Sequence, residues 1–135
     1  MRKPLRLILV PVAALALGGA GAVPAQAAVA VSIQPGAKLV ADGDVRAIVV
    51  ASCDSDQQVL EAHLSVSQDD QTLSGQAGIP IRCDGKSRRY RVTVSPVEGA
   101  FHTGDAFASA FVLTCADPTC ATTEQGQDSE TITVR

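Results

Sequence analysis

Four cysteines carry the most definite chemistry in this chain: Cys53, Cys83, Cys115 and Cys120. Four thiolates can hold a structural metal, or they can pair as two disulfides. A thiolate metal site is normally built on C-x2-C pairs, and the chain has none. An even count in a short exported chain reads instead as two disulfides. The sequence therefore argues for two disulfides, with no metal ligands and no cofactor.

The remaining reactive residues are sparse. Only His63 and His102 could act as a general base, and no G-x-S-x-G elbow or other nucleophile context accompanies them. They read as solvated surface histidines, and no catalytic residue is expected. Paired acids at Asp42/Asp44, Asp54/Asp56 and Asp69/Asp70 all sit in turn-like contexts. None continues into the D-x-[DN]-x-[DN]-G pattern with a distant Glu that a calcium loop requires. Asp in a turn is explained by its side chain bonding nearby backbone.

Two segments stand out as candidate binding surfaces. Arg82, Lys86, Arg88, Arg89 and Arg91 concentrate positive charge around Tyr90. Such a cluster could hold an acidic glycan, a phosphate-rich wall polymer or the carboxylates of a partner. The plainer reading is that Arg89 and Arg91 decorate the solvent face of a strand whose inward residues are Tyr90 and Val92. The segment Phe101–Phe111 (FHTGDAFASAF) holds three of the four aromatic residues, Phe101, Phe107 and Phe111. Core packing is their plainer use, and a cleft that admits a small apolar ligand is the alternative.

The elements that would position these residues are strands. Alternation with period two and Val, Ile and Thr enrichment recur throughout, with turn residues at short intervals. Val29, Val31 and Ile33 share one face of a first strand that stops at Pro35-Gly36, and a short piece follows at Leu39-Val40. Val45, Ala47, Val49, Ala51 and Cys53 form the inward stripe of the next strand. Leu60, Ala62, Leu64 and Val66 are expected inward on the strand after it, with Glu61, His63, Ser65 and Ser67 facing water. Leu73 to Cys83, weakened by Gly75, Gly78 and Pro80, reads as an edge strand or a bulged segment. Tyr90, Val92 and Val94 make the next stripe. Val97 to Asp105 is a loop, Ala106 to Cys115 a strand, Thr122 to Ser129 a polar mobile loop, and Thr131 to Val134 the last strand.

Seven or eight strands in about a hundred residues is the size and spacing of an all-β, immunoglobulin-like antiparallel β-sandwich; a small barrel is the alternative. In that strand order the stripe ending at Cys53 and the strand following Cys83 are antiparallel neighbours. Cys53 is therefore expected to pair with Cys83, and Cys115 with Cys120 across a tight local loop. The rival pairing of Cys53 with Cys115 would copy the bridge between the sheets of antibody domains. That bridge packs on a tryptophan, which this chain lacks.

Composition and the chain's beginning set the compartment. Arg2, Lys3 and Arg6 precede an apolar run from Leu7 to Leu17, which ends in small residues and Ala25-Gln26-Ala27. This is the order of a cleavable secretory signal, with cleavage expected after Ala27. Pro11 and Gly18-Gly19 leave the run short of the roughly 20 apolar residues needed to span a bilayer. The expected organisation is a signal peptide at 1–27 and one β-sandwich domain at 28–135, secreted and extracellular. Residues 28–135 hold eight basic and fourteen acidic side chains, a formal charge of 8 − 14 = −6. That balance argues against general binding to nucleic acid and, after signal cleavage, to anionic membranes.

The pattern Ala51-Ser52-Cys53, Leu64-Ser65-Val66-Ser67-Gln68, Cys83-Asp84-Gly85, Val92-Thr93-Val94 and Phe101 with Gly104 and Ala106 resembles uncharacterised secreted proteins of actinobacteria. The resemblance implies an exported immunoglobulin-like domain and brings no activity with it. More distantly, the C-x4-C pair Cys115 and Cys120 is similar to the late cysteine pair of the neocarzinostatin-type chromoprotein apoproteins. Those proteins are small secreted sandwiches that carry an enediyne in a cleft. That family closes a short hairpin loop with its earlier cysteines, whereas Cys53 and Cys83 lie thirty positions apart.

The expected function is a non-enzymatic binding or structural module whose partner is a protein or an envelope polymer. A carrier of a small apolar ligand, held by Phe101, Phe107 and Phe111, is a second expectation. A protease inhibitor presenting the stapled Cys115–Cys120 loop is a third.

Overall fold

A computed structural model describes residues 29–135, so the expected signal peptide at 1–27 lies outside the described residues. Eight strands follow in chain order: β1 (Val29–Ile33), β2 (Gly36–Val40), β3 (Asp44–Cys53), β4 (Gln58–Gln68), β5 (Leu73–Gly78), β6 (Arg88–Val94), β7 (Gly104–Cys115) and β8 (Thr123–Val134). They form two antiparallel layers. In one, β3 is central, with β1 and β2 successively along one edge and β6 along the other. The other runs β5-β4-β7-β8.

Pro35, which cannot donate to a ladder, marks the point where the chain leaves β3 and crosses to the second layer. Gly36 and Ala37 pair in parallel with Thr133 and Val134 of β8, and Lys38–Val40 then returns to β3. The Leu39 N–H donates to the Arg135 carbonyl at 2.7 Å, and the Thr133 N–H to the Pro35 carbonyl at 2.8 Å. This stitch seals one side of the sandwich. On the other side β5 and β6 are not paired as strands. The layers therefore do not close into a barrel, and the fold is the immunoglobulin-like sandwich.

Alternation places the core between the layers. Val45, Ala47 and Val49 of β3, with Val92 and Val94 of β6, meet Leu64 and Val66 of β4, Ala106, Ala108 and Ala110 of β7, and Ile132 and Val134 of β8. All are buried, together with Ile33, Ile79 and Phe101. Both disulfides form as the topology predicted: Cys53 with Cys83 at a Cα separation of 4.7 Å, and Cys115 with Cys120 at 4.8 Å.

Three local expectations are corrected. A bulge between Val59 and Glu61 shifts the register of β4 against β7, and Leu60 becomes 48% exposed instead of facing inward. The edge strand β5 ends at Gly78, and Ile79–Ser87 crosses between layers without strand pairing, carrying Cys83 to the end of β3. Most of the polar segment Thr122–Ser129 is strand, since β8 pairs with β7 from Thr123 onward. Its inward positions receive β1 in place of an aliphatic core. A Cβ on Gly126 would stand 2.9 Å from methyls of Val29 and Val31. The Asp128 carboxylate accepts the Ile33 N–H at 2.8 Å.

A buried glutamine anchors each end of β4. Gln57 accepts the Asp54 N–H and donates to the buried Thr114 hydroxyl at 3.1 Å. Gln68 accepts the His102 N–H at 3.0 Å and donates to the His102 carbonyl at 2.8 Å, which pins the loop between β6 and β7.

The same loop carries a pH-sensitive latch. His102 Nδ1 lies 2.9 Å from the Thr103 carbonyl, and Nε2 lies 3.0 Å from the Asp69 carboxylate. Both acceptors favour the protonated ring, the Thr103 carbonyl most and Asp69 next, and they raise its pKa above the ordinary 6.5. A raised folded-state pKa stabilises the latch fully below about 6.5, and that support is lost as pH rises through the raised value. An NMR titration should place the His102 midpoint above 6.5, and Asp69→Asn should bring it down.

Candidate binding surface

The stretch Arg88–Val94 (RRYRVTV) alternates. Tyr90, Val92 and Val94 face inward, leaving Arg89, Arg91 and Thr93 on the outer face of the β1/β2-β3-β6 layer. Cross-strand partners share a face. The register sets Arg89 beside Val50, Arg91 beside Ile48 and Thr93 beside Arg46. Lys38 of β2 then stands beside Arg46, and Ser32 of β1 beside Val50.

The outer face thus carries four exposed cations, Lys38, Arg46, Arg89 and Arg91, over a half-buried floor of Ile48 and Val50. Among the described residues none of the four has a carboxylate within 4.0 Å. Asp44, at the start of β3, is the acid nearest to them in register. Two open depressions adjoin Arg89. One, about 300 Å³, is lined by Ile48, Arg89 and Arg91. The other, about 600 Å³, is lined by Pro80, Arg82, Ser87, Arg88, Arg89 and Tyr90.

The five basic residues read from the sequence as one patch are therefore divided. Arg88 shares the parity of Tyr90 and forms an ion pair with Asp84. That pair raises the Arg88 pKa and holds the Asp84 carboxyl below its usual range, with the side-chain hydrogen bond as the main cause in each. Arg82 and Lys86 lie on the exposed crossing segment, where the Arg82 N–H donates to the Tyr90 hydroxyl at 2.9 Å. Lys38 and Arg46 were missed because they lie far from Arg89 in sequence. Their alternation with Leu39, Val45 and Ala47 was the signal that could have found them.

The three phenylalanines do not line a common cleft. Phe101 is buried in the core, whereas Phe107 and Phe111 alternate with inward Ala106, Ala108 and Ala110 and stand on the outer face of the other layer. Phe107 is 52% exposed. Phe111 lies against His63, with ring centroids 5.6 Å apart. His63 is not freely solvated. Its Nε2 meets Glu61 at 3.1 Å, and its Nδ1 is buried without a hydrogen-bond partner.

The acid pairs lie in turns except for Asp44, which begins β3; Asp42, Asp69 and Asp70 are at left-handed φ. Among the described residues no three His, Cys, Asp or Glu side chains converge as a metal site. The Cys115–Cys120 loop is folded back on itself. Asp117 accepts the Thr119 hydroxyl and the Thr119 and Ala121 N–H groups, and these bonds, the hydroxyl's foremost, lower its pKa. A loop closed in this way does not present the extended strand that a protease cleft pairs with.

Two disulfides point to an oxidising, extracellular-type environment. No helix among the described residues is long and apolar enough to cross a membrane. Comparison with protein-family models, curated proteins and solved structures found no match to this chain.

Proposed function

We propose that the protein is an exported, non-enzymatic binding module that holds an anionic extracellular partner on the outer face of its β1/β2-β3-β6 layer. The observation that carries this reading is the gathering of Lys38, Arg46, Arg89 and Arg91 on one face, each without an acidic partner within 4.0 Å. Acidic residues outnumber basic ones fourteen to eight over residues 28–135, so a random distribution would have interspersed carboxylates among them. At a screening length of about 10 Å in 0.1 M salt, a ligand on this face responds mainly to these four cations, with Asp44 at their margin the one carboxylate close in register. Arginine supplies a planar fork for carboxylate or phosphate oxygens. The exposed rim of the face keeps it accessible to a long partner. Secretion, which the leader sequence and the disulfides support, brings such a surface to envelope polymers.

The test exploits the sign of the net charge. The oxidised protein, acidic overall, should be retained at low salt on an immobilised acidic polysaccharide. Arg46→Gln combined with Arg91→Gln should elute in the flow-through with an unchanged circular-dichroism spectrum. Equal retention of both proteins would remove this face from the reading.

A further inference from the structure

Resting on that reading, we propose that the anionic partner is a linear polymer of phosphodiester-linked polyol units running obliquely from β6 onto β3. The spacing of charge on the face selects this class of ligand. Arg89 and Arg91 are two residues apart on one strand, and Arg46 with Lys38 occupies the next level, opposite Thr93. Two residues of strand advance roughly 7 Å, so cations recur at three successive levels, the first two on β6 and the third one strand over on β3, with Lys38 beside it on β2. Such a ladder matches a polymer with one charge per short repeat. A glycan with one carboxylate per disaccharide would leave alternate levels unpaired.

The surface between the charges fits the same ligand. Ile48 and Val50 form a half-buried apolar floor for the carbon linkers, and Ser32, Ser52 and Thr93 stand at its margins to meet polyol hydroxyls. Phosphate oxygens suit the guanidinium fork, which binds them through paired charge-assisted hydrogen bonds. A single-stranded nucleic acid shares the phosphodiester chemistry but also needs aromatic rings for its bases to stack on. The outward positions of β1, β3 and β6 carry none, and Tyr90, packed partly against the core, is the single ring bordering the depression beside Arg89, too few for successive bases to stack on. An acidic peptide gains affinity on sheets chiefly by adding a strand to an edge; on the free edge of β6 it would meet Arg89 and Arg91 but leave Arg46 and Lys38, one and two strands further in, unpaired.

The experiment is calorimetric titration of the oxidised protein with short poly(glycerol phosphate). Hyaluronate, poly-glutamate and oligo-thymidylate serve as parallel arms. Poly(glycerol phosphate) should bind more tightly than hyaluronate by about fivefold, the effect of one cation left unpaired. Log affinity should fall against log salt with a slope of roughly −2 to −3, as three or four neutralised phosphates require. Arg91→Gln should weaken binding by about fivefold. Lys86→Gln, which removes an exposed cation of the crossing segment that lines neither depression, should leave binding unchanged. If any other arm matches poly(glycerol phosphate), the ligand class is wrong while the binding face stands. If no polyanion binds at low salt, both readings fall.

Discussion

Replacing Cys53 and Cys83 together with alanine is expected to lower the stability of the fold by about 3–4 kcal/mol. The bridge closes a span of 30 residues, and chain entropy for a loop of that length gives a contribution of about this size. The site adds a local reason. Ile79–Ser87 crosses from one layer to the other without strand pairing, and it carries Ile79 into the core and Ile81 against it. The disulfide and the Gly85 N–H, which donates to the Cys53 carbonyl at 2.9 Å, tie this segment to the end of β3. The Cys115–Cys120 bridge spans only 5 positions, and its removal should cost about 2 kcal/mol on the same basis. Small domains hold roughly 5–15 kcal/mol in total, so the first loss is a large share. Urea denaturation of the two double variants tests both the size and the order of the effects. Equal midpoints for the Cys53/Cys83 variant and the parent would show that the crossing segment needs no staple.

The sequence was most legible where alternation and burial agree. Val45 through Cys53 and Val92 with Val94 could be assigned to the core because apolar residues recur with period two between turn signals. The cysteine pairing followed from strand order. Legibility failed where a residue's role depends on a neighbour distant in sequence. Gly126 and Asp128 look like loop residues until β1 lies over them, one making room for valine methyls and the other accepting a backbone N–H. Leu60 has the right spacing for the core, but a bulge at Val59/Glu61 turns it outward. The binding face failed in the same way. Arg88 sits beside Arg89 in sequence and on the other side of the strand in space, whereas Lys38 and Arg46 join the face only through pairing with β3 and β6. Sequence proximity groups charges along the chain; a sheet regroups them by parity and register.

Gly75→Ala should destabilise the fold by about 3 kcal/mol, at the upper end of what overpacking usually costs. Gly75 is inward on β5, opposite Val66. A Cβ there would collide with the Ser95 carbonyl and press on Pro96 Cα. Side chains can rotate away from an intruding methyl, but these obstacles are backbone. The Ser95 segment is in turn held in place, because the Val97 N–H donates to the Ser74 carbonyl at 2.8 Å. This is the side of the sandwich where β5 and β6 are not paired as strands, so the absence of a side chain at residue 75 is what lets the layers meet there. Gly36→Ala is the control. Nothing lies within 4 Å of a Cβ at that position, and its φ is not left-handed, so the substitution should be neutral or stabilise by up to about 1 kcal/mol through the unfolded chain. Urea midpoints for the two variants separate steric closure from the general effect of removing a glycine. If Gly75→Ala loses no more than about 0.5 kcal/mol, the range of an ordinary surface substitution, then the layers at this side are not in the contact described, and the sandwich closes there by some other means.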